Sequence, residues 1–225
     1  MSPLEAILET HGVVVLDGGL ATELEALGCD LDDPLWSARV LLDEPDPIRT
    51  ASRRFLEAGA DCVATATYQA SVRGLADRGL ARDEIAALLT RAVDMVVEER
   101  DAFVEALRAD GPAGSDPSGG TGRARPIVAA SIGPYGASLA DGSEYRGEYG
   151  LSAAELYDFH AERWAILADS AADILACETT PSLDETLAYC RLAAVSARHT
   201  WISFQCRDHT SIADGTPFET AVSVA

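Results

Sequence analysis

The sequence predicts an α/β fold built on a parallel sheet, and three observations carry that prediction. Five short apolar, β-rich runs occur at 13–16, 62–67, 127–132, 173–177 and 201–206. Continuous apolar runs of this length suit strands buried on both faces, as in a parallel sheet. Each run is separated from the next by sequence of helical period, the alternation that right-handed β-α-β crossovers require. At 225 residues, 48% of them hydrophobic, the chain suffices for one large domain with a proper core.

The elements follow in order. The first run leads into Asp17-Gly18-Gly19 and then Leu20-Ala21-Thr22-Glu23. A helix is predicted over 46–58, entered at Asp46-Pro47 and closed at Gly59. The second run ends in Thr65, Thr67, Tyr68 and Gln69. Over 83–107, Ile85, Leu89, Ala92, Val96, Phe103 and Leu107 mark one helical face, which Glu99 interrupts. Residues 110–125 are rich in Gly, Pro and Ser without an apolar anchor, and read as a flexible insert at the end of the fold away from the chemistry. The third run passes into Gly133-Pro134-Tyr135-Gly136. Ser152 with Glu155 reads as a capping box opening the next helix. The fourth run gives Glu178-Thr179-Thr180-Pro181, and Ser182 with Glu185 repeats the capping signature. Trp36 and Trp164 are expected to pack helices, and Trp201 to fill the strand layer.

Charge and cysteine content exclude several classes. There are 17 basic residues, all of them Arg, against 37 acidic ones, a net charge of −20. A field of that sign repels nucleic acid and anionic lipid. Without lysine there is no Schiff-base or P-loop lysine chemistry. Cys29, Cys62, Cys177, Cys190 and Cys206 are odd in number and widely spaced, with no CxxC pair, so neither a disulfide framework nor a local zinc knuckle is expected. The first residues lack a basic segment followed by a long apolar one, and no apolar run approaches the ~18 residues of a membrane helix. A reducing, cytoplasmic setting is the default expectation.

Polar groups at several strand C-termini converge on one face of a parallel α/β fold, where substrates bind. Gly18 and Gly19 let a ligand approach backbone N–H groups, which suits a carboxylate. Asp17 alone also reads as a turn residue. Glu178 is harder to explain structurally, because a carboxylate directly after an apolar strand is costly to desolvate without a partner.

These segments resemble one family. Residues 15–24 (VLDGGLATEL), 64–70 (ATATYQA), 131–136 (SIGPYG) running into 139–147 (LADGSEYRG), and 176–179 (ACET) followed by Pro181 are similar, in the same order, to the homocysteine S-methyltransferases, specifically the branch using S-methylmethionine or S-adenosylmethionine. The resemblance implies a (β/α)8 TIM-type barrel in which a zinc ion binds the homocysteine sulfur, lowering the thiol pKa so that thiolate attacks the methyl carbon of a sulfonium donor. It further implies that Asp17 and Glu178 hold the ammonium of homocysteine, that Gly18 and Gly19 face its carboxylate, and that Thr67, with Tyr68 and Gln69, lines the pocket. Tyr135, Tyr145 and Tyr149 are candidates to face a sulfonium by cation–π contact.

The family's zinc thiolates belong to a Gly-x-Asn-Cys motif on the sixth strand and a Gly-Gly-Cys-Cys motif on the eighth, and neither occurs in these 225 residues. The expectation is therefore about five of the eight βα units in one C-terminally incomplete barrel domain over 1–225, carrying the amino-acid half of the site without the metal half. Cys177 and Cys206 match no ligand position and read as small buried hydrophobes. His160 and His199 read as surface or capping residues, and His209 as part of a polar loop. Two alternatives stand beside a methyltransferase: a non-catalytic truncated remnant, either an amino-acid-binding or a merely structural partial barrel, and a metal-independent lyase using Asp17 and Glu178 as acid and base. Unpaired apolar edges at the first and fifth runs imply self-association.

Overall fold

The computed structural model describes residues 2–32, 37–110 and 124–225. The insert expected over 110–125 lies, apart from its ends, outside the described residues, as does Trp36.

The sheet has four parallel strands, β1 (Cys62–Ala64), β2 (Ile127–Ile132), β3 (Ile174–Thr180) and β4 (Thr200–Phe204), in the order β1-β2-β3-β4. Each strand neighbours its successor in sequence and the order never reverses. That is an arc of a barrel, since a doubly wound sheet turns back on itself at a switch point.

The first apolar run is not a strand of this sheet. Its regular pairing with β1 is limited to one parallel bridge, Leu16 to Cys62, in which Cys62 N donates to Val15 O at 3.2 Å and Asp17 N to Cys62 O at 3.0 Å. Carboxylates take the places of ladder carbonyls: Asp61 Oδ2 accepts from Val15 N at 2.9 Å, and Asp17 Oδ2 accepts from Ala64 N at 2.7 Å. The segment therefore occupies the first-strand position without a regular ladder, and Val13, Val15 and Leu16 remain 60%, 49% and 54% exposed. The second run stops being strand at Ala64, where side-chain hydroxyls take over the bonding. The fourth extends beyond Cys177 to Thr180 through a register shift against β4.

Helices cover the outer face. They are α1 (Pro3–His11), α2 (Leu20–Ala26), α3 (Ser37–Asp43), α4 (Asp46–Ala58), α5 (Val72–Asp77), α6 (Arg82–Asp110), α7 (Ala153–Ala168), α8 (Leu183–Ala194) and α9 (Phe218–Val224). Helix α4 has the predicted bounds and ends on Gly59 at φ 108°, a left-handed cap. In α6 the predicted face is buried from Ile85 to Phe103, and the interrupting Glu99 meets Arg49 of α4 at 3.4 Å. The capping box at Ser152 forms with both reciprocal bonds. At Ser182 only half of it forms: the serine hydroxyl accepts from Glu185 N, while the Glu185 carboxylate turns inward to Tyr135 N at 2.6 Å and His160 Nε2 at 2.8 Å. His160 is accordingly fully buried and not the surface residue its sequence context suggests.

The apolar interior lies on both sides of the sheet. Leu24, Ile48, Leu89, Ile132, Leu175 and Leu192 belong to the cluster between strands and helices. On the other face Cys62, Ile127, Ala129, Ile174 and Ala176 pack with Ile7 of α1. Strand alternation carries that second face upward from Ala129 to Ser131 and from Ala176 to Glu178, which brings a hydroxyl and a carboxylate to the top of the sheet. None of the described helices is long and apolar enough to cross a membrane.

Candidate functional site

A cavity of about 340 Å³ opens at the C-terminal ends of the strands, and Asp17, Gly18, Gly19 and Glu178 all line it. Of the residues expected there, Thr67 is the exception. It is fully buried, its hydroxyl donating to Ser131 O at 2.7 Å and lying 2.6 Å from Thr65 Oγ1. Ser131 N in turn donates to Thr65 Oγ1 at 3.2 Å. Thr67 thus supports the cavity floor, while Thr65, Tyr68 and Gln69 form the wall.

Glu178 is held by Ser131, whose hydroxyl donates to Oε2 at 2.5 Å. The backbone helps to aim it: Thr179 has φ +61°, rare for a β-branched residue, within the register shift of β3 against β4. Such strain, roughly 1–3 kcal/mol, persists only where surrounding structure imposes it. Burial raises the Glu178 pKa, against the opposing pull of the Ser131 hydrogen bond. Burial also lifts Asp17 to about 6, with the Ala64 N–H opposing and the nearby Glu178 charge adding. Two carboxylates that repel each other and are partly desolvated are an arrangement that welcomes a cation. Among the described residues, no acceptor takes the amides of Gly18 or Gly19. Gly18 has a packing reason as well, since a Cβ there would lie 3.0 Å from the Phe55 ring.

A buried network beneath the cavity fixes three successive strand-end loops. Arg163 of α7 donates to Tyr68 O at 3.1 Å after β1, and to Gly133 O at 2.6 Å after β2. It also reaches His160 Nδ1 at 3.0 Å, and His160 Nε2 meets Glu185 after β3. With Nδ1 accepting from a guanidinium, the proton of the neutral imidazole sits on Nε2 and points at the carboxylate. Burial lowers the His160 pKa well below its ordinary value and raises Glu185 to about 7.

Tyr135 and Tyr149 do not face the cavity. They pack edge-on at 5.2 Å, and Tyr135 also meets Phe159 at 4.9 Å. Tyr68 and Tyr145 are the aromatic residues on the wall. Sequence reasoning did not assign Ser131 or Glu144 a part. Both line the cavity, and the alternation from Ala129 was the available signal for Ser131.

The cysteines do not offer a zinc site. Cys177 is fully buried in the cluster under the helices, with its thiol pKa pushed up by burial, and Cys62 is buried on the opposite face. Cys206 is exposed, not buried as expected, and its thiol points to Phe204 O. Among the described residues no group of three or more His, Cys, Asp or Glu is arranged to hold a metal. The donor set present does not fit catalytic zinc, which takes three protein ligands.

An arc of parallel βα units with a carboxylate-lined cavity at its strand ends defines a (β/α)-barrel small-molecule-binding protein. The chain belongs to the homocysteine S-methyltransferase family, whose model matches residues 14–225. It is 46% identical over 220 residues to homocysteine S-methyltransferase YbgG of Bacillus subtilis, covering 96% of this chain and 66% of that one. It is 40% identical to a selenocysteine Se-methyltransferase of Brassica oleracea, covering 98% of this chain and 64% of the relative. The crystal structure of the homocysteine methyltransferase MmuM from Escherichia coli, in its metallated form, superposes with a TM-score of 0.88 at 42% identity, covering 99% of this chain and 73% of that one. The chain spans about two thirds of the length of the curated relatives it matches, and its fold is the corresponding part of a TIM-type barrel.

Proposed function

We propose that this chain supplies the amino-acid-binding half of a homocysteine S-methyltransferase, as one C-terminally incomplete barrel domain working in a reducing cytoplasm. Homocysteine is the acceptor and a sulfonium compound, S-methylmethionine or S-adenosylmethionine, the methyl donor. The observation that supports the reading is that Asp17, Glu178, Gly18 and Gly19 line one cavity, with the two glycine amides taken by no acceptor among the described residues. The two carboxylates take the ammonium and the two amides the carboxylate, which together define an α-amino acid by its invariant end. The amino acids after which these relatives are named differ in the chalcogen and by one methylene, both at the other end of such a ligand. In the transfer itself the methyl carbon passes from sulfonium to acceptor sulfur and a neutral thioether leaves, so no residue has to protonate the leaving group.

Calorimetric titration of homocysteine into the 225-residue chain tests this. Glu178→Gln, which removes one charged partner of a desolvated ammonium worth about 2–5 kcal/mol, is expected to weaken binding at least tenfold. Unchanged affinity in that variant refutes the clamp.

A further inference from the structure

The cavity holds a third carboxylate that an amino-acid clamp leaves unused. Glu144 is 8% exposed, lines the same cavity as Asp17 and Glu178, and its Oε2 has no hydrogen-bond partner. The neighbouring Arg146 makes no ion pair with it, reaching Ser143 Oγ at 3.4 Å and Asp141 at 4.0 Å, and its charge and a hydrogen bond from Tyr145 to the carboxyl only partly offset the effect of burial. The Glu144 backbone is fixed by close packing, since a Cβ on Gly136 would sit 2.3 Å from Glu144 N. No Arg or His lines this cavity among the described residues. A buried carboxylate oxygen without a donor is costly, and a site that keeps one has its partner elsewhere, in a ligand.

We infer that Glu144 is the counter-charge for the sulfonium of the methyl donor, a subsite distinct from the Asp17–Glu178 ammonium clamp. The inference rests on that clamp. A sulfonium brings positive charge but neither N–H nor O–H, so it is recognised by an anion and by aromatic faces and not by hydrogen bonds. Tyr68 and Tyr145 stand on the wall with Glu144. The charge also dictates the role. Methyl transfer converts the sulfonium to a neutral thioether, so the attraction to Glu144 is greatest in the bound donor and fades towards the transition state. Glu144 therefore acts in donor binding, and its loss raises KM for the donor without lowering kcat.

S-methylmethionine and methionine differ by one methyl group and one charge, so with homocysteine filling the clamp the ratio of their affinities isolates the sulfonium at the donor subsite. Titrated into the full chain saturated with homocysteine, S-methylmethionine is expected to bind at least tenfold more tightly than methionine. Glu144→Gln brings that ratio close to one with an unchanged or higher melting temperature. Glu178→Gln weakens homocysteine itself and, once homocysteine is raised to saturation, leaves the ratio alone. Glu144→Asp, which keeps the charge, retains part of the preference. A wild-type chain that binds homocysteine but takes both donor-site ligands equally or neither, a Glu144→Gln chain that keeps the ratio, or a Glu144→Asp chain that loses it as fully as Gln overturns the assignment while leaving the clamp standing. A wild-type chain that binds no homocysteine overturns both.

Discussion

Asp17 and Glu185 are carboxylates held in the fold with raised pKa values, about 6 and about 7 against ordinary values of 3.8 and 4.5. Between the ordinary and the raised value the native chain binds more protons than the unfolded chain, so these groups make stability fall as pH rises through that window. Below it both states are protonated and the penalty is absent. Asp17→Asn keeps an oxygen for Ala64 N and is expected to gain stability relative to wild type as pH rises from 4 to about 6, and then to level off. Glu185→Gln does the same up to about 7. Urea midpoints of the three chains across this range check both. Ammonium binding follows the opposite sign, because only charged Asp17 attracts it: homocysteine affinity rises through pH ~6, and this rise is lost in Asp17→Asn. Asp17 and Glu178 were legible in the sequence because they stand directly after apolar runs. Ser131 with Glu178, Arg163 with Tyr68, and His160 with Glu185 were not, since each pair is formed across elements and leaves no local spacing to read.

Elements whose ends carry their own chemistry were readable: α4 between Asp46-Pro47 and Gly59, α7 behind the Ser152 box, and α6 from its apolar period. The first run reads as a strand because an apolar stretch looks the same whether its ladder continues or is broken, as here, by carboxylates, with Val15 N donating to Asp61 and Ala64 N of β1 to Asp17. The short 3-10 turns Tyr135–Leu139 and Ser143–Tyr145 gave no period at all, yet they carry Glu144. They are joined through Gly136, where a Cβ would lie 2.3 Å from Glu144 N and 2.5 Å from Ser143 C, both backbone atoms that cannot swing away. Gly136→Ala is expected to cost more than 2 kcal/mol, in the range of overpacking. Gly12→Ala, at φ +73° with open space around it, is expected to cost about 1 kcal/mol from backbone strain alone. Equal losses in thermal denaturation contradict the steric account.

At the scale of the molecule, two apolar edges face outward among the described residues. Val13, Val15 and Leu16 are largely exposed on one side. On the other, Ile202 and Phe204 of β4 form an open groove of about 450 Å³ with Phe218 and Val222 of α9. Neither the first run nor β4 contains a proline or lysine to discourage pairing. Set against these edges is a net charge of −20, which keeps copies apart at low ionic strength. Salt screens the charge and leaves the apolar edges unchanged, so self-association is expected to increase between about 20 mM and 500 mM salt. Sedimentation velocity at the two concentrations decides it, and a monomer at both contradicts the prediction. The parallel class of the sheet was legible from its alternation. Its curvature came from the family resemblance and from the sequential strand order, because apolar runs record burial and not the direction in which a sheet bends.

The hydroxyls under the cavity have a direction. Thr67 gives its hydrogen to Ser131 O, so Thr65 must give its own to Thr67 while accepting from Ser131 N. The circuit begins at an amide and ends at a carbonyl of one residue, and neither group hands a proton onward. It cannot reverse, and the Ser131 hydroxyl that holds Glu178 has no relay behind it. The floor of the site is therefore an insulator for protons. A proton shed by a thiol bound above it either rests on one of the cavity carboxylates, Asp17, Glu144 or Glu178, or leaves through the mouth by which the ligand entered.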